Sequence, residues 1–407
     1  MTPNNFSRAT PGTEKKPLNR KASEGRVQIG RNCLGTISNQ IGYSMLKKHK
    51  LRFGAVATLA LAGLAFGTVS ASADPTPAGT FKPIVGVGSD TTQDVANGLG
   101  TVVTAIGSYD AQGSTTIKVS ATGPTFNRPN GSTSGVQALS ASANAGGNRT
   151  FPAAGGVSIA GEVDFARSSS GPSSSFVGTD LTFIPFARDA VTYAVNAASD
   201  FPRDIALGNA TQDTITPAPV TLRNIYRCAV TTYTDSDFAP VTIRPLIPQA
   251  GSGTRAFWLS ALGLNEAQVA GCATDLGGTV QEHDGALVRG AGDIVPFSVA
   301  QYLSQANYVN LPTAVNERRG VIELGKIGGN KPIRLTTNGN ELNTSFPVNR
   351  LVYNVVESSR LAETAIASTF VGSTSAVCAA SSTIRAYGFG TIGTACGSTT
   401  AKQAFRY

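Results

Sequence analysis

Short apolar runs alternate with stretches of helical spacing along most of the chain. Pro83-Ile84-Val85-Gly86-Val87-Gly88 is apolar throughout and ends in glycine, which predicts a buried strand running into a turn. Ser89-Asp90-Thr91-Thr92 follows as a cluster of N-cap residues, and Val95, Leu99, Val102 and Val103 then recur at helical spacing. Thr116-Ile117-Lys118-Val119 predicts the next strand. Val136 and Leu139 open a second helix, and Val163-Asp164-Phe165-Ala166 predicts a third strand. Strands alternating with helices predict an α/β architecture with a parallel sheet. The Ser/Gly/Ala-rich region from Ser140 to Gly156 and the serine run 168–175 read as loops. No internal repeat is visible.

A chain of 407 residues is too long for one ordinary core and suits two lobes. The formal charge of +8 invites a nucleic-acid reading, but its distribution removes the support for one. Of 33 basic and 25 acidic residues, 11 and 2 lie within the first 73, so the remainder is close to neutral. Lys47, Lys48, Lys50 and Arg52 precede an uncharged apolar stretch from Phe53 to Val69, and Ala71-Ser72-Ala73 then places small residues before Asp74. This pattern predicts a secretory signal peptide over 45–73, cleaved after Ala73. A membrane anchor is the competing reading, and the shortness of the run and its glycines weigh against it. Met45 stands just before the basic region, so residues 1–44 read as a non-native upstream extension and 74–81 as a linker. The protein is expected to be secreted, extracellular or periplasmic, without stable membrane insertion after cleavage.

Cys33 lies in the leader, leaving Cys228, Cys272, Cys378 and Cys396. An even number of cysteines in an exported chain predicts two disulfides, with three pairings open. Cys228–Cys272 and Cys378–Cys396 are favoured because each pair then stays within one lobe. Metal ligation is the weaker reading, since there is no CxxC and a single histidine, His283, follows the leader. No metal or cofactor is expected.

Three turns rich in Gly, Ser and Thr precede helix-like segments: Gly88-Ser89-Asp90-Thr91-Thr92, Gly131-Ser132-Thr133-Ser134-Gly135 and Gly251-Ser252-Gly253-Thr254-Arg255. Arg167-Ser168-Ser169-Ser170 follows the third strand as a fourth polar cluster. Unpaired N–H groups and partial positive charge at helix N-termini attract anions. Glycine admits close approach of the backbone, hydroxyls add donors, and one arginine can bind two oxygens side by side. Several such turns converging on one cleft would hold a tetrahedral oxyanion. Plain helix capping is the competing reading of any one turn. The candidate ligand residues are Ser89, Asp90, Thr91, Ser132, Thr133, Arg167, Ser168, Ser169, Ser252, Gly253, Thr254 and Arg255.

In the order and spacing of eight segments across most of residues 82–392, the chain resembles the phosphate-binding proteins of Pst-type ABC importers, within the type II periplasmic-binding-protein fold. The first two turns resemble the first and second anion loops of that family, and Gly251-Ser252-Gly253-Thr254 matches its signature anion turn. Val163 to Ser169 resembles its third anion loop, Phe346 to Tyr353 its return crossover, and Pro185 to Ala190, Leu222 to Tyr226 and Tyr387-Gly388-Phe389 further family segments. The resemblance implies two α/β lobes, each a sheet flanked by helices, joined by two crossovers and closing on ligand. Lobe I is expected over 82–194 and 347–407, and lobe II over 195–346. Carried over by position, the ligand contacts are Asp90, Thr91, Ser132, Ser169, Ser252, Gly253 and Thr254.

The chain departs from the family pattern at three places. Asp90-Thr91 stands where the family has a Thr-Phe pair, Ser169 where it has an aspartate that accepts the phosphate proton, and Pro248 where it has an arginine. Asp90 either replaces the missing acceptor or only caps its helix, and Arg255, Arg244 or Arg167 would supply the charge. An acidic acceptor admits a protonated phosphate and rejects sulfate, which has no proton to donate.

The implied function is capture of inorganic phosphate or a similar oxyanion for an ABC permease by a monomeric, non-enzymatic protein. The alternative is a freely secreted binding or surface-interaction protein that kept the fold and left transport. Gln281-Glu282-His283-Asp284 reads as a surface or loop segment, and a serine hydrolase built on Ser252 is disfavoured because there is no GxSxG elbow. Trp258, three residues after Arg255, is expected in the core.

Overall fold

The computed structural model describes Asp74, residues 80–144, Gly147 and residues 149–407. The expected signal peptide and upstream extension, Cys33 and most of the expected linker lie outside the described residues.

Strand β1 (Ile84–Gly88) is buried at every position, as its unbroken apolar run requires. Helix α1 (Gln93–Val102) turns Val95 and Leu99 into the core, and β2 (Ile106–Ser108) pairs with β1 in parallel. The stretch expected as the next strand forms only Thr116–Ile117, paired with Phe126–Asn127 outside the main sheet. The strand beside β1 is instead Ile106-Gly107-Ser108, whose glycine and serine hide it from an apolar-run reading. Helix α2 (Ser132–Ala143) and β3 (Phe165–Ser168) follow, with β3 parallel to β1.

Strand β4 (Leu181–Asn196) is 16 residues long and almost wholly buried. After it come α3 (Leu222–Tyr226), β5 (Arg244–Pro245), α4 (Gly253–Leu262), β6 (Asp293–Ser298), α5 (Val299–Ala306), β7 (Ile322–Leu324), β8 (Asn349–Glu357) and β9 (Ala401–Gln403). Strand order is β5-β6-β4-β8-β3-β1-β2, with β7 and β9 also paired to β4. The first part of β4 pairs with β8 and β9, and its last part pairs with β6 and β7. One strand thus leaves one sheet half and enters the other, which produces a two-lobed α/β fold. The chain returns beside it, where the Val191 N–H donates to the Val348 carbonyl at 2.9 Å.

The largest apolar cluster runs from Ile84, Leu99 and Phe165 through Val191 and Tyr193 to Trp258 and Leu262. Trp258 is fully buried and meets Tyr226 edge-on at 5.6 Å, the core position its spacing predicts. The disulfides are Cys228–Cys272 and Cys378–Cys396, the favoured pairing. Among the described residues no helix is long and apolar enough to cross a membrane, and no group of side chains is arranged to hold a metal ion.

Candidate functional site

Glycine sets the approach of the turns. A Cβ on Gly135 would lie 2.5 Å from the Gly88 Cα, so the end of β1 and the first turn of α2 touch only because both residues lack side chains. The N-cap of α2 is Gly131, at φ 88°, and no side chain caps its N–H groups. Helix α4 opens at Ser252, whose side chain accepts from the N–H groups of Thr254 and Arg255.

These two helix starts belong to different lobes and meet. The Thr133 N–H donates to the Gly251 carbonyl at 3.2 Å, and Gln249 donates to Asn130 at 2.7 Å. A Cβ on Gly253 would fall 2.4 Å from both the Ser132 and Ser169 Oγ atoms. Ser132 and Ser169 are themselves 3.2 Å apart, and the Ser169 N–H donates to Ser132 Oγ at 3.0 Å. The Thr91 and Thr254 hydroxyls lie 3.3 Å apart. Asp90, Thr91, Ser132, Ser169, Ser252, Gly253 and Thr254 therefore share one buried seam.

The other candidates are placed differently. Ser89 is fully buried at the tip of β1, and its hydroxyl has no partner. Thr133 and Ser168 line a cavity that also reaches Ser132, Ser252, Gly253 and Arg350, and Thr133 meets the other lobe through its backbone N–H. Arg167 is fully buried, but its guanidinium donates to the Gly86, Gly88 and Ser89 carbonyls and to Ser108, so it braces β1 rather than facing the seam. Arg255 pairs with Glu266 at 2.6 Å and donates to the Pro248 carbonyl. Arg244 pairs with Asp293 at 2.7 Å.

Three central residues were not expected there. Glu282 is fully buried and accepts from Thr91 at 2.6 Å, from Thr254 at 2.9 Å and from Ser252 at 3.1 Å. Burial, reinforced by the neighbouring Asp90 carboxyl, pushes its pKa up to about 7. Burial also raises Asp90. His283 is fully buried with Nδ1 3.4 Å from Asp90 Oδ2, and burial lowers its pKa to about 3, so the imidazole is neutral. The Gln281-Glu282-His283-Asp284 segment is thus a loop, as one side of its reading has it, but Gln281, Glu282 and His283 are buried rather than on the surface.

Arg350, at the start of β8, is the arginine of the seam. Its Nε and Nη2 donate to Asp189 at 3.1 and 2.8 Å, and Nη2 also donates to Thr254 at 2.7 Å. Asp189 is held in turn by Ser298 and by the Ala300 N–H. Arg350 is 5% exposed, and its Nη1 has no partner. Arg350 lies within the Phe346–Tyr353 segment that resembles the family's return crossover, a segment not expected to supply the charge; the loss of the family arginine at Pro248, together with an arginine inside this largely apolar segment, is the available signal.

The arrangement offers two helix N-termini, five hydroxyls and the unpartnered Arg350 Nη1, beside carboxyl groups whose ionisation is suppressed. That combination suits a small anion able to share a proton.

Similar folds have been solved. A protein from Clostridium perfringens assigned as a phosphate ABC transporter substrate-binding protein, with bound phosphate, is 13% identical, with a TM-score of 0.48 over 76% of this chain and 99% of its own. An ABC-type phosphate transport receptor from Vibrio cholerae is 15% identical, with a TM-score of 0.46 over 76% and 100%. A human phosphate-binding apolipoprotein is 14% identical, with a TM-score of 0.43 over 76% and 91%. No curated protein matches the sequence. The model of the PBP superfamily domain matches residues 70–371, about three-quarters of the chain, and the protein belongs to that superfamily.

Proposed function

We propose that this protein is an exported solute-binding protein that holds phosphate, or a similar tetrahedral oxyanion, in the seam between its lobes and delivers it to an ABC importer. The carrying observation is the convergence of Thr91, Ser132, Ser252, Gly253 and Thr254, from three separate turns, around Arg350 with an unpartnered Nη1. The resemblance of these turns to the anion loops of phosphate-binding proteins supports the ligand class. The apolar leader with its small-residue cleavage pattern supports export.

Glu282 is the acidic group of a seam that has Ser169 where the family has an aspartate, and it acts through its own protonation rather than by accepting the ligand's proton. With its proton on, it leaves the seam less negative and presents a donor to the anion. Ionised, it competes for the three hydroxyls and repels a fully charged oxyanion. Closure of the lobes replaces water around the ligand with fixed donors, as far as Gly253 permits contact with Ser132 and Ser169.

Calorimetric titration of the purified chain with phosphate, arsenate and sulfate tests this reading. Saturable one-site binding of at least one of these anions is expected. Absence of binding by all three at millimolar concentration would sink the ligand assignment.

A further inference from the structure

The oxyanion donors do not close into a shell of their own. Beyond them the seam opens into a cavity of about 640 Å³. This lies within the range of about 300–1,000 Å³ typical of sites for small organic molecules. At about 30 Å³ for each water-sized atom, a five-atom anion fills on the order of 150 Å³. Most of the space remains after the anion is seated.

The lining divides by chemistry. One end holds the starts of α2 and α4 and the buried Arg350, whose Nη1 donates to nothing. The rest of the lining carries the hydroxyls of Ser170, Ser173 and Ser260, the rings of Phe183, Phe257 and Tyr353, and the Arg406 side chain. The Arg350 guanidinium lies over the Phe257 ring, 5.4 Å from its centroid, so the aromatic lining adjoins the cationic group. Hydroxyls set between ring faces match a compound with its own hydroxyls and C–H faces. An apolar body would leave the serines unpaired.

We propose that the ligand is a phosphate monoester of a small polyhydroxylated compound, a sugar or polyol phosphate. Its phosphate group sits among Arg350, Ser132 and Ser252, and its body fills the serine-lined cavity. This rests on the oxyanion reading above and adds the substrate class.

The test is calorimetric titration of the purified chain with inorganic phosphate, glycerol 3-phosphate, glucose 6-phosphate and glucose. At least one ester is expected to bind about tenfold more tightly than inorganic phosphate, and glucose alone not to bind. Ser260 is exposed on α4, and Ser260→Trp fills the cavity away from the anion end. The variant is expected to lose the ester's advantage while keeping a cooperative thermal transition. Esters binding no better than inorganic phosphate overturn the proposal and leave the oxyanion reading standing. An ester advantage that survives Ser260→Trp places the body elsewhere and also overturns it. Failure of phosphate and both esters alike removes the oxyanion reading as well.

Discussion

The Thr91 hydroxyl donates to the Glu282 carboxyl at 2.6 Å, joining residues 191 positions apart and on opposite lobes. The same carboxyl holds Thr254 and Ser252 of the other lobe. One acidic group therefore occupies the hydroxyl donors of both faces of the seam, and its protonation governs how free they are.

Oxyanion affinity should depend on pH through Glu282. Sulfate is the cleaner probe, because it carries no proton in this range. Burial pushes the Glu282 pKa up to about 7, so the seam is less negative below that value. Sulfate affinity should fall about tenfold between pH 6 and pH 8 in the wild type and stay nearly flat in Glu282→Gln. An identical pH profile for both would remove Glu282 from the site.

Glu282 also links stability to pH. Its folded pKa is raised from 4.5 to about 7, so in that window the folded state binds more protons than the unfolded one. Its contribution is fully present below about pH 4.5 and is lost as pH rises through 7. Denaturant unfolding should show Glu282→Gln gaining on the wild type by roughly 1–3 kcal/mol between pH 5 and pH 8. A constant difference across that range would contradict the burial argument.

Arg350 is held by Asp189 through two donors and offers a third to the seam. Arg350→Lys keeps a positive charge and loses the planar fork. It should fold and bind phosphate about tenfold or more weakly, measured by calorimetry. Arg350→Met leaves Asp189 buried without its cation and should lower stability by about 3–5 kcal/mol in denaturant unfolding. Wild-type affinity in Arg350→Lys would exclude a direct contact with the anion.

Gly253 sets how closely the lobes approach. Its φ is not positive, so Gly253→Ala adds no backbone strain, but the new Cβ would meet Ser132 and Ser169 Oγ at 2.4 Å. The variant should fold normally and lose about tenfold or more in affinity, with small-angle scattering showing a less compact liganded form. Full affinity with unchanged compaction would show that the seam does not need this contact.

The parts of the fold readable from sequence were those written in local pattern. The apolar run of β1 and the glycine-hydroxyl turns before α2 and α4 are signals a few residues long, and their physics is local. Strand β2 was missed because Gly107 and Ser108 carry no hydrophobic signal and are buried only by their neighbours. Glu282 and His283 lie in the loop their sequence suggests, but their burial is not legible there because nothing local distinguishes a buried carboxylate from an exposed one. Their burial follows from the docking of two lobes. Arg167, Arg255 and Arg350 all lie near the turns in sequence or space, yet only Arg350 reaches the seam. Which arginine does so depends on the side of a strand or helix that meets the opposite lobe.

The most direct test is calorimetric titration of inorganic phosphate into the purified chain and its Arg350→Lys and Gly253→Ala variants at pH 6.5. Capture of phosphate in the seam requires one saturable site in the wild type and about tenfold or greater weakening in each variant. Phosphate that fails to bind the wild type, or binds all three equally, would contradict it.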